Sequence, residues 1–232
     1  MPKPPAKGAQ RGVVAVTALP DGGGVVTFYQ PAPGVSDTQL YQKLKERGVS
    51  GLVDPAAGDT VGTRDVNTCA WGSATTAACP QIHWARNGYS HPQVYFVDHS
   101  GDAWPVTAAV PVWNRAQGVD SWYRWANCPG KRGTHCVHVW SDDYGDIGWV
   151  GLTNIVWNSN RDLVDGDVYV LLNDYYSYLG ANRRRKSTCH ELSHALGMGH
   201  NSSANSCLIQ GAYEPLLPNG DDFALIHDVY PY

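Results

Sequence analysis

Two short, mostly apolar runs lie near the start of the chain. Val13–Thr17 and Val25–Tyr29 are rich in β-branched and aromatic residues, and they flank the turn-forming sequence Pro20–Gly24. Two runs of this kind around a cluster of proline, aspartate and glycine are typical of a β-hairpin with a longer loop. The pattern therefore predicts two antiparallel strands, preceded by a loose tail rich in proline and lysine.

A helical pattern follows the hairpin. Ser36 and Gln39 have the spacing of a capping box, in which each side chain pairs with the backbone amide of the other residue. Apolar residues on one helical face, and a glycine that can stop the helix, come next: Leu40, Tyr41, Leu44 and Gly48. Residues 12–49 are therefore predicted to form a small β-β-α unit, close to the lower size limit for an independent core.

The rest of the chain alternates between strand-like and helix-like patterns. Residues 50–80 are rich in glycine, alanine, threonine and aspartate, which predicts a linker or a long loop. Runs of β-branched and aromatic residues predict strands at Val94–Val97, Cys136–Trp140 and Val168–Leu172. The spacing of apolar residues predicts helices at about Pro105–Gln117, Asn182–Leu196 and Asp222–Val229. Because strands and helices interleave, we expect an α+β fold with an α/β-like order of elements.

Composition and net charge argue against three classes of protein: disordered chains, membrane-spanning proteins and proteins that bind nucleic acid through their overall charge. Hydrophobic residues make up 43% of the 232 residues, enough for a core, whereas charged residues make up only 16%. A disordered chain has the opposite balance. No window approaches the ~18 uninterrupted apolar residues of a membrane span. A net charge of −4 argues against a bulk electrostatic grip on nucleic acid. We therefore expect a folded monomer that binds neither membranes nor nucleic acid.

Six cysteines indicate an oxidising compartment. They fall in three close pairs: Cys69 with Cys79, Cys128 with Cys136, and Cys189 with Cys207. Six cysteines allow 15 pairings, of which neighbour pairing is the simplest. An even count in a chain with few lysines and glutamates is typical of secreted proteins, so an extracellular location is expected. The first ten residues hold no apolar stretch of the kind found in signal peptides, and we interpret the chain as a mature form.

One segment, with the pattern HExxHxxGxxH, carries the clearest candidate chemistry. His190 and His194 are four residues apart, so on a helix they lie one above the other and can face one metal ion. Glu191 is rotated by about 100° from His190, where it can reach a water on the metal. Gly197 allows the helix to end in a left-handed turn, after which His200 can supply a third nitrogen. Three imidazoles on tetrahedral zinc leave one position open, which is the arrangement of a catalytic site.

This segment resembles the zinc signature of the metzincin metalloproteases, and the wider pattern is similar to secreted bacterial enzymes of the matrixin and snapalysin kind. The resemblance covers about residues 80–232. Its outer pieces are Trp113–Asn114, Tyr144–Gly145, Gly148–Leu152, Leu172–Asn173 and Cys189. It implies a metzincin-type catalytic domain, assigned to residues 67–232, with a twisted mixed sheet, an active-site helix and a C-terminal helix. Residues 1–66 then form a tail, a small β-β-α segment and a linker, either as a propeptide or as a subdomain.

The resemblance also implies an activity, that of a secreted zinc endopeptidase with one catalytic zinc ion. His190, His194 and His200 match the metal ligands of the family, and Glu191 matches its general base. In this chemistry zinc polarises the scissile carbonyl and lowers the pKa of its water. The glutamate takes the proton of that water and returns it to the departing amine.

The strand that contains Val168, Val170 and Leu172 resembles the edge strand along which metzincins bind an extended substrate. Strand addition gives main-chain affinity with little demand on sequence, so the expected partner is a protein or peptide substrate. Two other functions stay open at this point. One is a catalytically silent zinc-binding module of the same fold, and the other is a zinc hydrolase that acts on a non-peptide bond.

The sequence departs from the family pattern near the expected Met-turn. Leu208 stands where the methionine is expected, but the two side chains have similar volumes, so packing beneath the histidines can persist. The third ligand is His200, whereas snapalysin-like enzymes have an aspartate there. Tyr213 is the nearest candidate for the tyrosine that some metzincins carry close to the Met-turn, although its spacing matches poorly.

Two cysteines have competing interpretations. As a fourth metal ligand Cys189 would point about 100° away from the neighbouring histidine, which favours a disulfide to Cys207. That bond would join the active-site helix to the Met-turn segment. Cys69 is interpreted as the disulfide partner of Cys79, with a latency thiol as the alternative.

Other polar residues are weaker candidates for metal sites. Acidic loops offer hard oxygen ligands for Ca²⁺, which is weighed there against a solvated turn: Asp142, Asp143 and Asp146 in one loop, and Asp165 and Asp167 in another. His135 and His138 are three residues apart on a strand, so they face opposite sides of a sheet and are poor co-ligands.

Overall fold

A seven-stranded mixed sheet forms the centre of the protein. The computed structural model describes residues 12–56, 69–211 and 213–231. The strands along this part of the chain are β1 (Val13–Ala18), β2 (Gly24–Pro31), β3 (Ala70–Trp71), β4 (Ala74–Thr76), β5 (Gln93–His99), β6 (Asp120–Trp125), β7 (Thr134–Asp142), β8 (Trp149–Trp157), β9 (Tyr169–Asn173) and β10 (Met198–Asn201). The α-helices are α1 (Asp37–Glu46), α2 (Val106–Ala109), α3 (Ala181–His194) and α4 (Gly220–Val229). Short 3-10 helices cover Val110–Arg115 and Asp174–Tyr176.

The strands of the large sheet are ordered β1-β2-β8-β9-β7-β5-β6. β5 pairs in parallel with both β6 and β7, and β7 pairs in parallel with β9. β8 runs antiparallel to β9, and β2 and then β1 extend the sheet by further antiparallel pairing. This mixed sheet with its helices confirms the predicted α+β fold class. The predicted tail and the predicted domain boundary between residues 66 and 67 lie outside the described residues, so that division stays a prediction.

The strand expected at an edge lies inside the sheet. β9 pairs with β8 on one side and with β7 on the other. Val168, Val170 and Leu172 are fully buried. Because both sides of β9 already have strand partners, the prediction that these residues bind a substrate along an open edge is wrong.

The N-terminal β-β-α unit is confirmed, and it packs on the large sheet. The Ser36 hydroxyl accepts a hydrogen bond from the Gln39 amide, and the Gln39 side chain accepts one from the Ser36 amide, which completes the predicted capping box. Gly48 has φ +78° just beyond the helix end, in the left-handed region that favours glycine. The apolar face of α1 joins a cluster that includes residues of β8: Val13, Tyr29, Leu40, Leu44, Trp149 and Leu152. The unit therefore shares its core with the main sheet.

The helix expected over Pro105–Gln117 is split into α2 and the 3-10 helix Val110–Arg115. Pro111 lacks an amide hydrogen, and its ring clashes with a carbonyl in the preceding turn, so regular α-helical pairing cannot continue through it. Val106 and Trp113 nevertheless face the core, as the helical spacing predicted.

Part of the predicted linker is folded. β3 and β4 form a small antiparallel sheet with β10, in the order β10-β4-β3. The prediction of a loop is wrong for these two strands, because their partner β10 lies more than a hundred residues away and leaves no local signal. A disulfide joins Cys69 to Cys79 across this segment, and the others join Cys128 to Cys136 and Cys189 to Cys207.

α3 lies against the sheet and carries the candidate chemistry. Leu192 and Leu196 are fully buried in the main cluster with Ile155 of β8 and Leu172 of β9. Burying a leucine side chain contributes about 1.5–3 kcal/mol, so these contacts fix the helix on the sheet. Within the described ranges, no helix has the length and apolar character needed to cross a bilayer.

Candidate metal centre

Two histidines meet on the buried face of α3. His190 and His194 are one helical turn apart, and their ring centroids lie 4.7 Å from each other. The rings are nearly perpendicular, with an interplanar angle of 88°. The four-residue spacing therefore brings both imidazoles to the same point, as the helical geometry predicts.

A tight turn after α3 brings in the third histidine. Gly197 has φ +83°, and a Cβ added there would lie 2.6 Å from the Ile82 carbonyl oxygen, so a side chain is excluded on both counts. The chain then forms β10, and the His200 ring centroid lies 5.2 Å from that of His190 and 4.9 Å from that of His194. One nitrogen from each of the three rings lies within 4.8 Å of the others, so the histidines are arranged to hold a metal ion.

Backbone carbonyls orient the first two rings. His190 Nδ1 lies 2.9 Å from the Cys207 carbonyl oxygen, and His194 Nδ1 lies 2.8 Å from the Met198 carbonyl oxygen. A carbonyl only accepts, so each Nδ1 donates a proton and each Nε2 keeps its lone pair. Both Nε2 atoms are buried without a hydrogen-bond partner among the described residues. Burial lowers the pKa of both imidazoles well below the usual value, which keeps them neutral as metal ligation requires.

The unpartnered Nε2 atoms of His190 and His194 indicate whether the site fits a metal ion. A buried polar atom without a partner costs free energy, and native proteins rarely leave such atoms unpaired. A cation that lies between the two nitrogens, beside the third imidazole, would accept both lone pairs and remove this cost. Neutral imidazoles that donate their other N–H to a carbonyl are the usual ligands of zinc. The residues therefore fit a zinc ion.

Glu191 is held next to the histidines by β8. The Thr153 hydroxyl donates a 2.6 Å hydrogen bond to Glu191 Oε2, while Oε1 is buried without a partner among the described residues. Gly151 makes room for the carboxyl group, since a Cβ there would lie 2.7 Å from Glu191 Cγ. Burial raises the pKa of Glu191 to about 8, against the opposing effects of the Thr153 hydrogen bond and the charge of Lys186. A bound cation would favour the carboxylate form.

Lys186 is a buried amine at the end of the charged run Arg183–Lys186. The sequence predicts that this run is a solvated first turn of the helix, and for Lys186 that prediction is wrong. Lys186 lies one helical turn before His190 and is 3% exposed. Its Nζ has no hydrogen-bond partner among the described residues. Burial lowers the pKa of Lys186 to about 7, and the charge of Glu191 works in the opposite direction. The burial of Lys186 is visible only in the folded structure, because a lysine in the first half of a helix looks in sequence like a solvated residue.

We expect Lys186→Met to raise the free energy of unfolding of the metal-free protein by roughly 2–4 kcal/mol at pH 6. The lysine pKa is about 7 in the folded state and 10.5 in the reference state, so the unfolded chain binds more protons between these values. The unfavourable contribution of Lys186 therefore fades as the pH rises from 7 towards 10, and the difference between parent and variant shrinks. Urea unfolding from pH 6 to 10 measures this. Lys45→Met, at an exposed lysine of α1, serves as the control and should show no pH-dependent gap.

The segment expected to form the Met-turn lies beside the histidines. Leu208, in the position of the methionine, is fully buried in the main cluster. The preceding residue, Cys207, contacts His190 through its carbonyl and is joined to Cys189 by a disulfide. Helix and turn are therefore tied together covalently and by a hydrogen bond that fixes the ring of a candidate ligand.

Gln210 is the site residue that sequence reasoning missed. Its side chain is 1% exposed, and its Nε2 lies 2.5 Å from His200 Nε2. This contact must break, or His200 must bind through Nδ1, for His200 to hold a metal ion. Gln210 Oε1 has no partner among the described residues. Tyr213, the candidate chosen from sequence, is 54% exposed. No spacing rule in the sequence separates the two, because the chain path after Leu208 decides which side chain turns inward.

The acidic loops do not form a second metal centre. Among the described residues, the histidine triad is the one cluster of three or more histidine, cysteine or acidic groups close enough to hold a metal, so the structure does not support Ca²⁺. In the first loop, Asp143 accepts a hydrogen bond from the Gly145 amide, and Asp146 accepts one from the Tyr176 hydroxyl. These are the contacts of a hydrogen-bonded turn.

The carboxylate of Asp165 forms a hydrogen bond with His135, a buried histidine outside the metal centre. His135 Nδ1 lies 2.9 Å from Asp165 Oδ2, and His135 Nε2 lies 2.6 Å from the Ala85 carbonyl oxygen. Burial lowers the pKa of His135, but these two hydrogen bonds outweigh it and raise the pKa overall. His138 projects elsewhere and pairs with His99 at 2.8 Å. Neither histidine belongs to the metal centre.

Comparisons with known proteins leave the family open. No family model matches the chain, and no curated protein matches it. Two solved structures of myroilysin are similar in part. One has a TM-score of 0.37 at 10% identity and covers 65% of this chain and 96% of that chain. The other has a TM-score of 0.36 at 10% identity and covers 73% of this chain and 98% of that chain. Similarity of this size carries no argument about activity, which depends on the geometry of the site.

Proposed function

We propose that the protein is a secreted, zinc-dependent endopeptidase. The observation that carries the proposal is the pair of buried, unpartnered Nε2 atoms on His190 and His194, in a histidine triad whose candidate ligand atoms lie within 4.8 Å of one another. Glu191 adds a carboxyl group with one unpartnered oxygen on the same helix. The disulfides support an oxidising, extracellular location.

Zinc is the metal that this donor set favours. Imidazole nitrogens suit zinc, whereas Ca²⁺ and Mg²⁺ prefer oxygen ligands. His190, His194 and His200 would hold the ion and leave one of four tetrahedral positions open. When bound, zinc supplies the Lewis acidity that polarises a peptide carbonyl and makes water a nucleophile near neutral pH.

Glu191 moves the protons of the reaction. Its unpartnered Oε1 accepts a proton from the attacking water as the new carbon–oxygen bond forms. The same carboxyl group then gives that proton to the amine nitrogen as the carbon–nitrogen bond breaks. Thr153 holds the other oxygen by its 2.6 Å hydrogen bond, so the carboxyl group keeps a fixed orientation through both steps.

β8 is the strand that borders this chemistry. Gly151 and Thr153 of β8 contact Glu191 directly, whereas the residues first expected to bind substrate lie on the interior strand β9. β2 pairs with the side of β8 away from β9, and an extended peptide in the place of β2 would run next to the carboxyl group. Main-chain pairing of this kind accepts many sequences. A protein or peptide substrate is therefore the proposed partner.

Hydrolysis of casein, measured both on the intact chain and on the chain cut within residues 57–68, tests the proposal, and cleavage by either form supports it. We expect cleavage that stops when a chelator removes the metal and returns when stoichiometric Zn²⁺ is added, because removal of the ion removes the Lewis acid. Ca²⁺ alone should not restore it. Hydrolysis of esters or non-peptide amides without cleavage of any member of a peptide library would favour a different zinc hydrolase. Stoichiometric zinc without hydrolysis of any substrate would favour a silent binding module.

A further inference from the structure

The proposed catalytic groups are closed off from solvent. The exposed fraction is 1% for His190, 0% for both Glu191 and His194, and 8% for His200. A zinc peptidase must bring a peptide carbonyl to its metal and its general base. Something in the chain therefore covers the position that a substrate needs.

The cover comes from the N-terminal hairpin. Phe28 of β2 stacks on the His194 ring, with centroids 4.0 Å apart and planes 9° from parallel. The same phenyl ring meets the His200 ring edge-on at 5.4 Å. Just before β1, Gly12 lies against His200 and Gln210. A Cβ added there would lie 2.5 Å from His200 Cε1 and 2.2 Å from Gln210 Nε2.

β2 also occupies the side of β8 that borders Glu191. Its pairing with β8 is antiparallel and runs along the whole strand, from Gly24 opposite Trp157 to Pro31 opposite Trp149. Tyr29 lies opposite Leu152 and Phe28 opposite Thr153. The residue of β2 that stacks on the histidines is thus directly opposite the residue that holds the carboxyl group. β2 stands in the place where a bound peptide would pair.

Two buried amide oxygens, one on β2 and one beneath the hairpin, lack a protein partner in the described part of the chain. Gln30 is 4% exposed, yet its Oε1 has no hydrogen-bond partner among the described residues. Gln210, under the hairpin, also has an unpartnered Oε1. Each unpaired atom of this kind costs free energy that a hydrogen bond to water would restore. Release of the hairpin would return both amides to solvent.

We propose that the N-terminal hairpin, residues 12–31, is an intramolecular occupant of the peptide-binding side of β8, and that cleavage of the chain between the hairpin and β3 releases it. This inference rests on the proposed peptidase function. While the hairpin is in place, the intact chain is latent. Release of the hairpin exposes an open strand edge of β8 beside the three histidines and Glu191. That edge fits an extended peptide bound antiparallel, as β2 is.

Two double-cysteine variants, which share one of their cysteines, test whether the hairpin can leave β8 or is a permanent part of the sheet. Val25 of β2 lies opposite Val156 of β8 on one side and opposite Thr17 of β1 on the other. Residues directly opposite in antiparallel strands have Cα atoms about 4.5–5.5 Å apart, which suits a disulfide. V25C/V156C therefore locks the hairpin to β8. V25C/T17C locks the hairpin only to itself and is the matched control.

The experiment uses the full, zinc-loaded chain. A recognition sequence for a site-specific protease is placed within residues 57–68 of the parent and of both variants, and peptide mapping verifies the disulfides. Each protein is studied before and after cutting. Gel filtration shows whether the N-terminal fragment leaves, a coloured chelator reports the rate of zinc loss, and hydrogen exchange reports the protection of β8. Casein hydrolysis is measured separately.

The expected result is that the fragment leaves the cut parent and the cut V25C/T17C protein. The rate of zinc loss and the rate of hydrogen exchange in β8 then rise by roughly tenfold or more, because the hairpin no longer has to detach before the site opens. Casein hydrolysis appears at the same time. The cut V25C/V156C protein keeps the slow zinc loss, the protected β8 and the absence of hydrolysis.

Three outcomes would overturn the proposal. One is an intact parent as active as the cut one, and another is a V25C/V156C protein as active as the control. The third is a cut chain that keeps the fragment with unchanged zinc loss, or that unfolds by circular dichroism, since the hairpin is then an integral part of the fold. If the fragment leaves and zinc loss accelerates while no peptide is ever cleaved, the occupant proposal stands and the peptidase function fails.

Discussion

Glu191→Gln is expected to reduce peptide hydrolysis by about 10²–10⁴-fold while zinc stays bound. Glutamine keeps the size of the side chain and can still meet the Thr153 hydroxyl, but its amide cannot accept the proton that Glu191 Oε1 would take. Turnover of a casein-derived peptide, together with zinc content, measures both parts of the prediction. The variant and its parent are compared in the same state of the N-terminal hairpin.

Glu214→Gln is the matched control for this substitution. Glu214 is one of only three glutamates in the chain, and its exposed carboxylate pairs with Arg183 away from the histidines. Because an exposed ion pair contributes little, this variant should keep both activity and stability. A Glu191→Gln protein that binds zinc and cleaves as fast as its parent would remove Glu191 from the proton-transfer role.

His194→Gln is expected to remove stoichiometric zinc and with it all metal-dependent hydrolysis. Changes to groups that only orient a ligand lower metal affinity by roughly 10–100-fold, so loss of a ligand itself should exceed that. His194 also stacks on Phe28 and donates to the Met198 carbonyl, so the variant should lose stability as well. Zinc content after gel filtration and the thermal midpoint with and without added zinc measure these effects.

The thermal measurement distinguishes metal loss from simple unfolding. Added zinc should raise the thermal midpoint of the parent, because a ligand that binds only the folded state stabilises it, and should leave that of His194→Gln unchanged. His227→Gln, at a half-exposed histidine of α4, is the control and should respond to zinc like the parent. A His194→Gln protein that still binds one zinc per chain with unchanged affinity would contradict the proposed ligand set.

Local patterns predicted most of the elements because their causes are local. The capping box at Ser36 and Gln39 satisfies its own amides, and the four-residue spacing of His190 and His194 follows from the helix itself. Gly197 was expected to end the helix in a left-handed turn, and its φ of +83° confirms it. At these positions neighbours along the chain set the structure, so the sequence was sufficient.

Strand order was beyond the sequence because it depends on distant partners. β8 spans Trp149–Trp157, but glycine and polar residues interrupt its pattern, so it was not predicted as a strand. The structure shows why they occur: Gly151 makes room for Glu191, and Thr153 holds it. Gln210 and Lys186 were missed for the same reason, since only the folded chain turns them inward.

The absorption spectrum of the intact, zinc-loaded protein at the zinc K edge tests the central claim most directly. The account predicts one zinc per chain with three imidazole nitrogens at about 2.0–2.1 Å and no sulfur neighbour, since all six cysteines are in disulfides. A shell of sulfur, a shell made only of oxygen, or zinc well below one per chain would contradict it.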